Sequence, residues 1–425
     1  MQNMPADAGA NAITAANAAA TAASRATPTA PTTRTLTGST LAMLGGLAAL
    51  GALATNIILP AFPAMGASLG VPVAELGAAL SSFFLAFAIG QLVAGPLSDR
   101  WGRQPLVLGG LAVFIAGSLI CAAADTLGML IAGRVVQAFG VCAASVLSRA
   151  IARDLFDGAA LARALALTMV AMAAAPGFSP LIGSALDSWL GWRSAFVALA
   201  VAGAALALHY RLSTGETHAP DRRQAVSMGK VLRGYLALLA DRRFILSAGA
   251  VGLMTGNTFT FFAAAPRVLM GKLGLSSLAL GLFFAITVFV VFAAGFLAPR
   301  LAKARGLRAV ALSGIVIAAA GGAALMAVPG TSLAGFVGGI AVFLFGMGLV
   351  NPLATAMTLQ PFGREAGAAS ALLGFLQMFC AALGTALASL PSDAPARLLG
   401  MVIATASVLG LLLFLQTRSP VKAGQ

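Results

Sequence analysis

Charge is the scarcest commodity in this 425-residue chain. Asp, Glu, Lys and Arg make up 9% of it, against 60% hydrophobic residues. A soluble protein of this length needs far more charge to cover its surface, so most of the chain must be solvated by lipid. Acids are scarcer than bases, at 12 against 26. Histidine is almost missing: the 2 present are His209 and His218. That excludes a Ser/His/Asp arrangement in the interior and any histidine-based metal centre. Cysteine is also rare. Cys121, Cys142 and Cys380 lie far apart in apolar runs without metal-ligand spacing, and they read as small buried hydrophobes. There is no Walker-type glycine loop, which excludes direct use of ATP. No catalytic constellation emerges, so the expectation is a protein that is not an enzyme and needs no cofactor or metal.

What the chain has instead is long apolar runs. In lipid every backbone N–H and C=O must be satisfied within the segment, which leaves helices or a closed barrel. Barrel strands alternate apolar and polar residues, and these runs do not. About 20 apolar residues span the hydrocarbon core. Twelve spans follow, near 39–60, 76–97, 105–124, 128–149, 162–185, 190–210, 244–265, 278–299, 308–328, 333–357, 366–389 and 396–416. The seventh is the weakest, because TGNTFTF interrupts it.

The net charge of +14 invites a nucleic-acid reading, but its distribution argues against one. On an alternating topology only Arg193, Arg267, Lys272 and Arg397 fall on one side. Arg134 lies inside a span, and every other Lys and Arg falls in the loops and tails of the opposite side. This is the positive-inside pattern. It orients the bundle with both termini in the cytoplasm of a bacterial inner membrane. The expected organisation is a disordered cytoplasmic tail over 1–38, a six-helix bundle over 39–210, a basic linker over 211–243, a second bundle over 244–417 and a tail over 418–425. The first tail is Ala/Thr/Pro-rich and has no apolar core, so it is not a secretory signal. Part of the linker, from Met228 to Leu239, reads either as a helix on the anionic inner leaflet or as a solvated basic segment.

The densest local pattern is GPLSDRWGRQPLVLGG, residues 95 to 110, between spans 2 and 3. The halves repeat it loosely. Gly95-Pro-Leu97 is echoed by Gly295-Phe-Leu297, and Gly102-Arg103 by Gly306-Leu-Arg308, with no second acid to match Asp99. Paired six-span halves are a transporter plan with the substrate site between them.

On Gly95, Leu97, Asp99, Arg100, Gly102 and Arg103 the chain resembles the major facilitator superfamily, from residue 39 onward. The resemblance implies twelve helices in two pseudo-symmetric bundles and a cytoplasmic gate at this loop. Gly95 would admit close helix approach. Asp99 would face a helix N-terminus and pair with an arginine. Further segments resemble drug:proton antiporters of the bicyclomycin and chloramphenicol type. These are TNIILPAFPAM (55 to 65), the Arg134, Gln137, Gly140 pattern in span 4, Ala175-Pro176-Gly177-Phe178-Ser179-Pro180 with Gly183 in span 5, Trp192-Arg193, and GAASALLGFLQM (367 to 378). Ala138 and Ser179 depart from the usual glycines. Pro176, Pro180 and Gly183 would bend and pack span 5 as conformational elements.

One departure bears on mechanism. In the resembling family the span-1 motif carries an aspartate where this chain has Asn56. No span carries a carboxylate in its middle. Asn56 cannot titrate near neutral pH, and Arg134 effectively never loses its proton. The usual proton-coupling site is therefore disabled or moved to the edge. At 1.5 Å per residue Asn56 lies about 25 Å along span 1 and Arg134 about 9 Å below the far edge of span 4, at similar depth. Three placements are open to Arg134. It snorkels to the interface, it joins a structural network with Asn56, Gln137 and water, or it recruits an anionic or strongly polar substrate.

Other polar groups inside spans are Gln91, Gln137, Thr255, Asn257, Thr258, Asn351, Thr355 and Gln377. The resemblance places spans 1, 4, 7 and 10 on the cavity. It favours Asn56, Arg134, Asn257 and Asn351 as substrate contacts, with helix–helix hydrogen bonding as the competing role for the two later asparagines. Phe83, Phe84, Phe87, Phe178, Phe259 and Phe262 are candidate apolar walls or packing residues. The expected function is export of a small organic compound, a drug or metabolite, by alternating access and proton antiport, by a monomer in the lipid bilayer. A facilitator or importer of a small anionic metabolite, and a non-transporting scaffold or sensor, are the alternatives.

Overall fold

The computed structural model describes residues 36–218, 220–223, 227–327, 329–330 and 332–417. Of the expected tails, residues 1–35 of the 1–38 segment and 418–425 lie outside the described residues, and Gly38 already begins the first helix. Among the described residues twelve helical segments are long and apolar enough to cross a membrane, and each overlaps an expected span.

In chain order the helices are α1 (Gly38–Asn56), α2 (Phe62–Leu69), α3 (Gly77–Trp101), α4 (Arg103–Ala122), α5 (Leu127–Leu155), α6 (Gly158–Leu190) and α7 (Arg193–Ser213). They continue as α8 (Met228–Ala240), α9 (Arg242–Pro266), α10 (Ser277–Arg305), α11 (Leu307–Ala327), α12 (Leu333–Leu359), α13 (Ala366–Ala388) and α14 (Pro395–Gln416). Side-chain caps begin several of them. Thr37, Thr126, Ser276 and Ser332 each accept a hydrogen bond from a first-turn N–H, covering donors that lipid would not satisfy.

The first span is longer than the sequence indicates. It breaks after Asn56, passes a short turn at Leu59–Ala61 containing Pro60, and resumes as α2. Pro60 has no N–H to give back to the helix, which accounts for the break. The seventh span is not interrupted. TGNTFTF is helical throughout, because polar side chains there find partners on neighbouring helices. In the linker, where the sequence leaves two readings open, Met228–Ala240 is helical as α8.

The two halves pair their helices alike. In the first, α4 packs on α5 and α7, α3 on α5, and α1 on α6. In the second, α11 packs on α12 and α14, α10 on α12, and α9 on α13. The repeated motif shows the same symmetry in the backbone. Gly102 joins α3 to α4 at φ +98°, and Gly306 joins α10 to α11 at φ +85°. A side chain rarely tolerates that region, which explains glycine in both copies. Across the molecule the halves meet through α3 with α13 and α6 with α10.

One end of the bundle carries Arg100, Arg153, Arg242 and Arg305 and is called here the basic face. The other carries few charges and is the lean face. The halves are closed at the lean face. Gly77 abuts Ser389, and deeper in the bundle Gly177 abuts Val288, so closely that a methyl group would not fit at either, and Gly281 packs tightly on Leu181. Towards the basic face an added methyl at Gly95 or Gly367 would meet nothing within 4 Å.

Candidate functional site

Arg134 is fully buried in α5, at 0% exposure. That overturns snorkelling. Its Nη1 donates to the Ala54 carbonyl at 3.1 Å and to Gln137 Oε1. Gln137 Nε2 donates to Ser118 Oγ at 2.7 Å, and Ser118 donates on to the Phe114 carbonyl at 2.8 Å. The Phe83 ring stacks 4.2 Å from the guanidinium carbon. Ala54 lies in the last turn of α1, where carbonyls run out of helical donors, so Arg134 caps the break in the first span. Nε and Nη2 have no hydrogen-bond partner among the described residues.

Asn56 is equally buried but does not join this chain of bonds. Its amide donates to the Ala52 carbonyl at 2.7 Å and to Thr55 Oγ1 at 2.9 Å. Of the network that is one of the three open placements, Gln137 is a member and Asn56 is not: a backbone carbonyl two residues earlier takes the arginine. Among the described residues no carboxylate pairs with Arg134.

A second polar cluster joins three helices of the other half. Gln377 Nε2 on α13 donates to Thr255 Oγ1 on α9 at 3.3 Å, and Thr255 donates to Asn351 Oδ1 on α12 at 3.3 Å. All three are half-buried. Across the seam Gln91 of α3 lies against Gly374, one turn before Gln377. Phe84 of α3 meets Phe259 of α9 at 5.1 Å, and Phe83 stacks on Phe87 at 6.0 Å. The seam between the bundles thus holds an aromatic contact, Phe84 on Phe259, and an amide contact, Gln91 on Gly374.

Three expected cavity residues fall elsewhere. Asn257 turns away and donates to the Ile403 carbonyl and Ser407 Oγ of α14 at 3.2 and 3.3 Å, binding helix to helix. Phe262 is packing, with Phe261 and Phe284 at 5.1 and 5.3 Å. Phe178 is 42% exposed and makes no ring contact with either cluster among the described residues. In α6, Gly183 sits against the Ile57 carbonyl, while Pro180 and Leu181 face Gly281 of α10. Pro176 precedes Gly177, which bears on Val288, so the helix-bending residues all lie along packing seams.

The loop motif forms one connected group at the basic face. Arg103 bridges Asp99 at 2.7 Å and Asp154 at 3.1 Å, and reaches Ser98 Oγ. Asp154 also accepts from Thr217 at 3.1 Å. The acid at the helix N-terminus is not Asp99, as expected, but Glu216. It accepts the Arg103 backbone N–H at 2.9 Å, the His218 N–H at 2.9 Å and Arg223 Nη2 at 3.2 Å. Glu216 sits at the start of α4, where the helix dipole favours negative charge. Arg100 is exposed, Leu97 half-buried, and Gly95 stands clear of the second half. Every contact described for Asp99 stays within the first half.

Sequence reasoning missed Tyr235. From α8 its hydroxyl donates 2.8 Å to the Leu92 carbonyl of α3. Leu92 stands four residues before Pro96, which has no N–H to return, so the tyrosine supplies the missing donor. A proline inside an expected span was the available signal. Helix α8 otherwise packs on α9 and α13, so Tyr235 ties the first half to the second at the basic face. Burial pushes its hydroxyl pKa up to about 12.

Residues 44–385 match the family model described as Major Facilitator Superfamily. The multidrug resistance protein D of Escherichia coli (strain K12) is 30% identical over 86% of this chain and 91% of its own length. A chloramphenicol resistance protein of Pseudomonas aeruginosa is 31% identical over 75% of this chain and 74% of that protein. Among solved structures a D-xylose-proton symporter superposes with a TM-score of 0.69 at 17% identity, covering 90% of this chain and 98% of that one, which is a likeness of fold.

Proposed function

We propose, given that this chain belongs to the major facilitator superfamily, that it exports small organic compounds of the antibiotic class across a bacterial inner membrane by alternating access. The basic face is then cytoplasmic, and the state described here is open inward. The observations that carry the reading are close packing of the halves toward the lean face at Gly77–Ser389 and Gly281–Leu181, room beside Gly95 and Gly367 toward the basic face, and a seam that sets Phe84 against Phe259 and Gln91 against Gly374, one turn from the Thr255–Asn351–Gln377 group. A surface that is half aromatic and half amide binds a moderately polar, largely apolar solute. The drug-resistance names of the relatives support the same direction of transport.

Rocking of the two bundles exposes this surface to each side in turn. Opening the lean face requires the Gly77–Ser389, Gly177–Val288 and Gly281–Leu181 contacts to part. Closing the basic face brings Gly95 and Gly367 under cover. Asp99, Asp154 and Arg103, held by Glu216, form the gate that changes partners in that step.

Coupling is assigned to protons, with the carrier moved from mid-membrane to the basic edge. Asn56 has no proton to exchange, whereas Asp99, Asp154 and Glu216 gather there around Arg103 and Arg223. The competing reading, an uncoupled facilitator, draws on the same lack of a mid-span acid. Flux of chloramphenicol or a bicyclomycin-type compound into inside-out vesicles, with and without a protonophore, decides between them. Protonophore-sensitive accumulation supports the antiporter. Equilibration unaffected by the protonophore supports the facilitator, and no flux refutes both.

A further inference from the structure

Two of the three guanidinium nitrogens of Arg134 make no hydrogen bond among the described residues. Nη1 carries all of its hydrogen bonds, to Ala54 and Gln137. Nε and Nη2 have none among the described residues, although both are buried. These two nitrogens are neighbours on the planar fork, and together they form the edge that grips an anion side-on. Phe83 covers the ring face, and the residue has no exposure at all.

A buried cation needs its charge compensated as well as its hydrogen bonds filled. Gln137, Ser118 and the Ala54 carbonyl are neutral. The carboxylates of the described ion pairs are all held elsewhere, by Arg103, Arg193 and Arg223. Water would satisfy donors without supplying charge. A substrate carboxylate on a drug-sized body would have to displace Phe83 and enter a site without exposure. A monatomic anion carries no such body and has only its own volume to place beside the fork.

We propose that the Nε–Nη2 edge of Arg134 binds a small, weakly hydrated anion, with chloride as the physiological member of the class. The anion sits beside the break in the first span and neutralises the arginine in place of a protein carboxylate. It is a structural ion for the first half, and its presence does not depend on which solute is carried.

The test uses the full chain in detergent. The thermal unfolding midpoint is followed as chloride replaces gluconate at constant ionic strength and pH. The expected result is a saturable rise of a few degrees, as mass action requires for a ligand bound only by the folded state, with bromide acting like chloride. Asn56→Asp places a carboxylate two residues beyond the carbonyl that Arg134 holds. It is expected to unfold at the higher midpoint in gluconate and to lose the halide dependence. Arg134→Gln is expected to lose that dependence too. If neither variant folds, anomalous scattering from bromide in wild-type crystals must place the ion against the Arg134 edge. A wild-type midpoint indifferent to halide, an undiminished effect in Arg134→Gln, or bromide bound only elsewhere overturns the proposal. The readout is stability, so it fails or succeeds separately from the transport reading.

Discussion

Replacing Tyr235 with phenylalanine removes one oxygen atom and should change which face of the protein is open. In the state described here the Tyr235 hydroxyl is the donor for the Leu92 carbonyl that Pro96 leaves unserved. Leu92 moves with the first half, and α8 packs on helices of the second, so the bond is lost when the basic face rearranges. Losing a buried hydrogen bond and leaving its acceptor unsatisfied costs about 1 to 2 kcal/mol. That is roughly a five- to thirtyfold change in a two-state ratio. The reporter is Gly367→Cys, at a position that opens to free space in this state, in a background with Cys380→Ala. Its rate of reaction with a polar maleimide should fall when Tyr235→Phe is added, by up to that factor, because the rate follows the fraction of molecules in this state. An unchanged rate would show that the hydroxyl bears equally on both states and refute the reasoning. A faster rate would reverse its sign.

The glycine seam gives a second prediction. Gly177→Ala should hold the lean face apart and slow transport, and Val288→Ala in the same chain should restore part of the rate, because the new methyl collides with the Val288 side chain. In the gate, Asp99→Asn should lower the unfolding midpoint little, since the Asp99 side chain is 50% exposed and such pairs contribute at most about 1 kcal/mol. Asp154→Asn should lower it more, because that side chain is 20% exposed and holds both Arg103 and Thr217. Tyr235 should ionise with a midpoint near pH 12 rather than the ordinary 10 or so. Its neutral form is favoured by folding, so its stabilisation is complete below about pH 10 and lost as pH rises through the folded value. Tyrosinate absorbance in a Tyr210→Phe background checks this, and a midpoint near 10 would contradict it.

The spans were legible because lipid forces continuous apolar runs, and the Arg134–Gln137 pair because i and i+3 share a helix face. What a run of apolar residues hides is azimuth. A helix that is hydrophobic all round has no polar stripe to orient it. Depth alone therefore could not separate Asn351, which turns toward Thr255, from Asn257, which turns toward α14. The break at Pro60 was written in the sequence, but the resumption as α2 depends on packing against the Val71–Val73 turn. Glu216 and Tyr235 escaped notice for a different reason. Each acts on backbone far away in the chain, and the Tyr235 bond spans 143 residues. The clue lay in the acceptor, at a proline inside a span, rather than in the donor.

The central claim is an alternating-access exporter whose coupling bypasses residue 56. Its most direct test is solute flux into proteoliposomes under an imposed pH gradient, with wild type and Asp154→Asn compared side by side. The account predicts gradient-driven, protonophore-sensitive accumulation of an antibiotic-class compound by the wild type, and loss of gradient dependence in the variant. Gradient-driven accumulation that persists unchanged in Asp154→Asn, or no flux of any compound by the wild type, would contradict it.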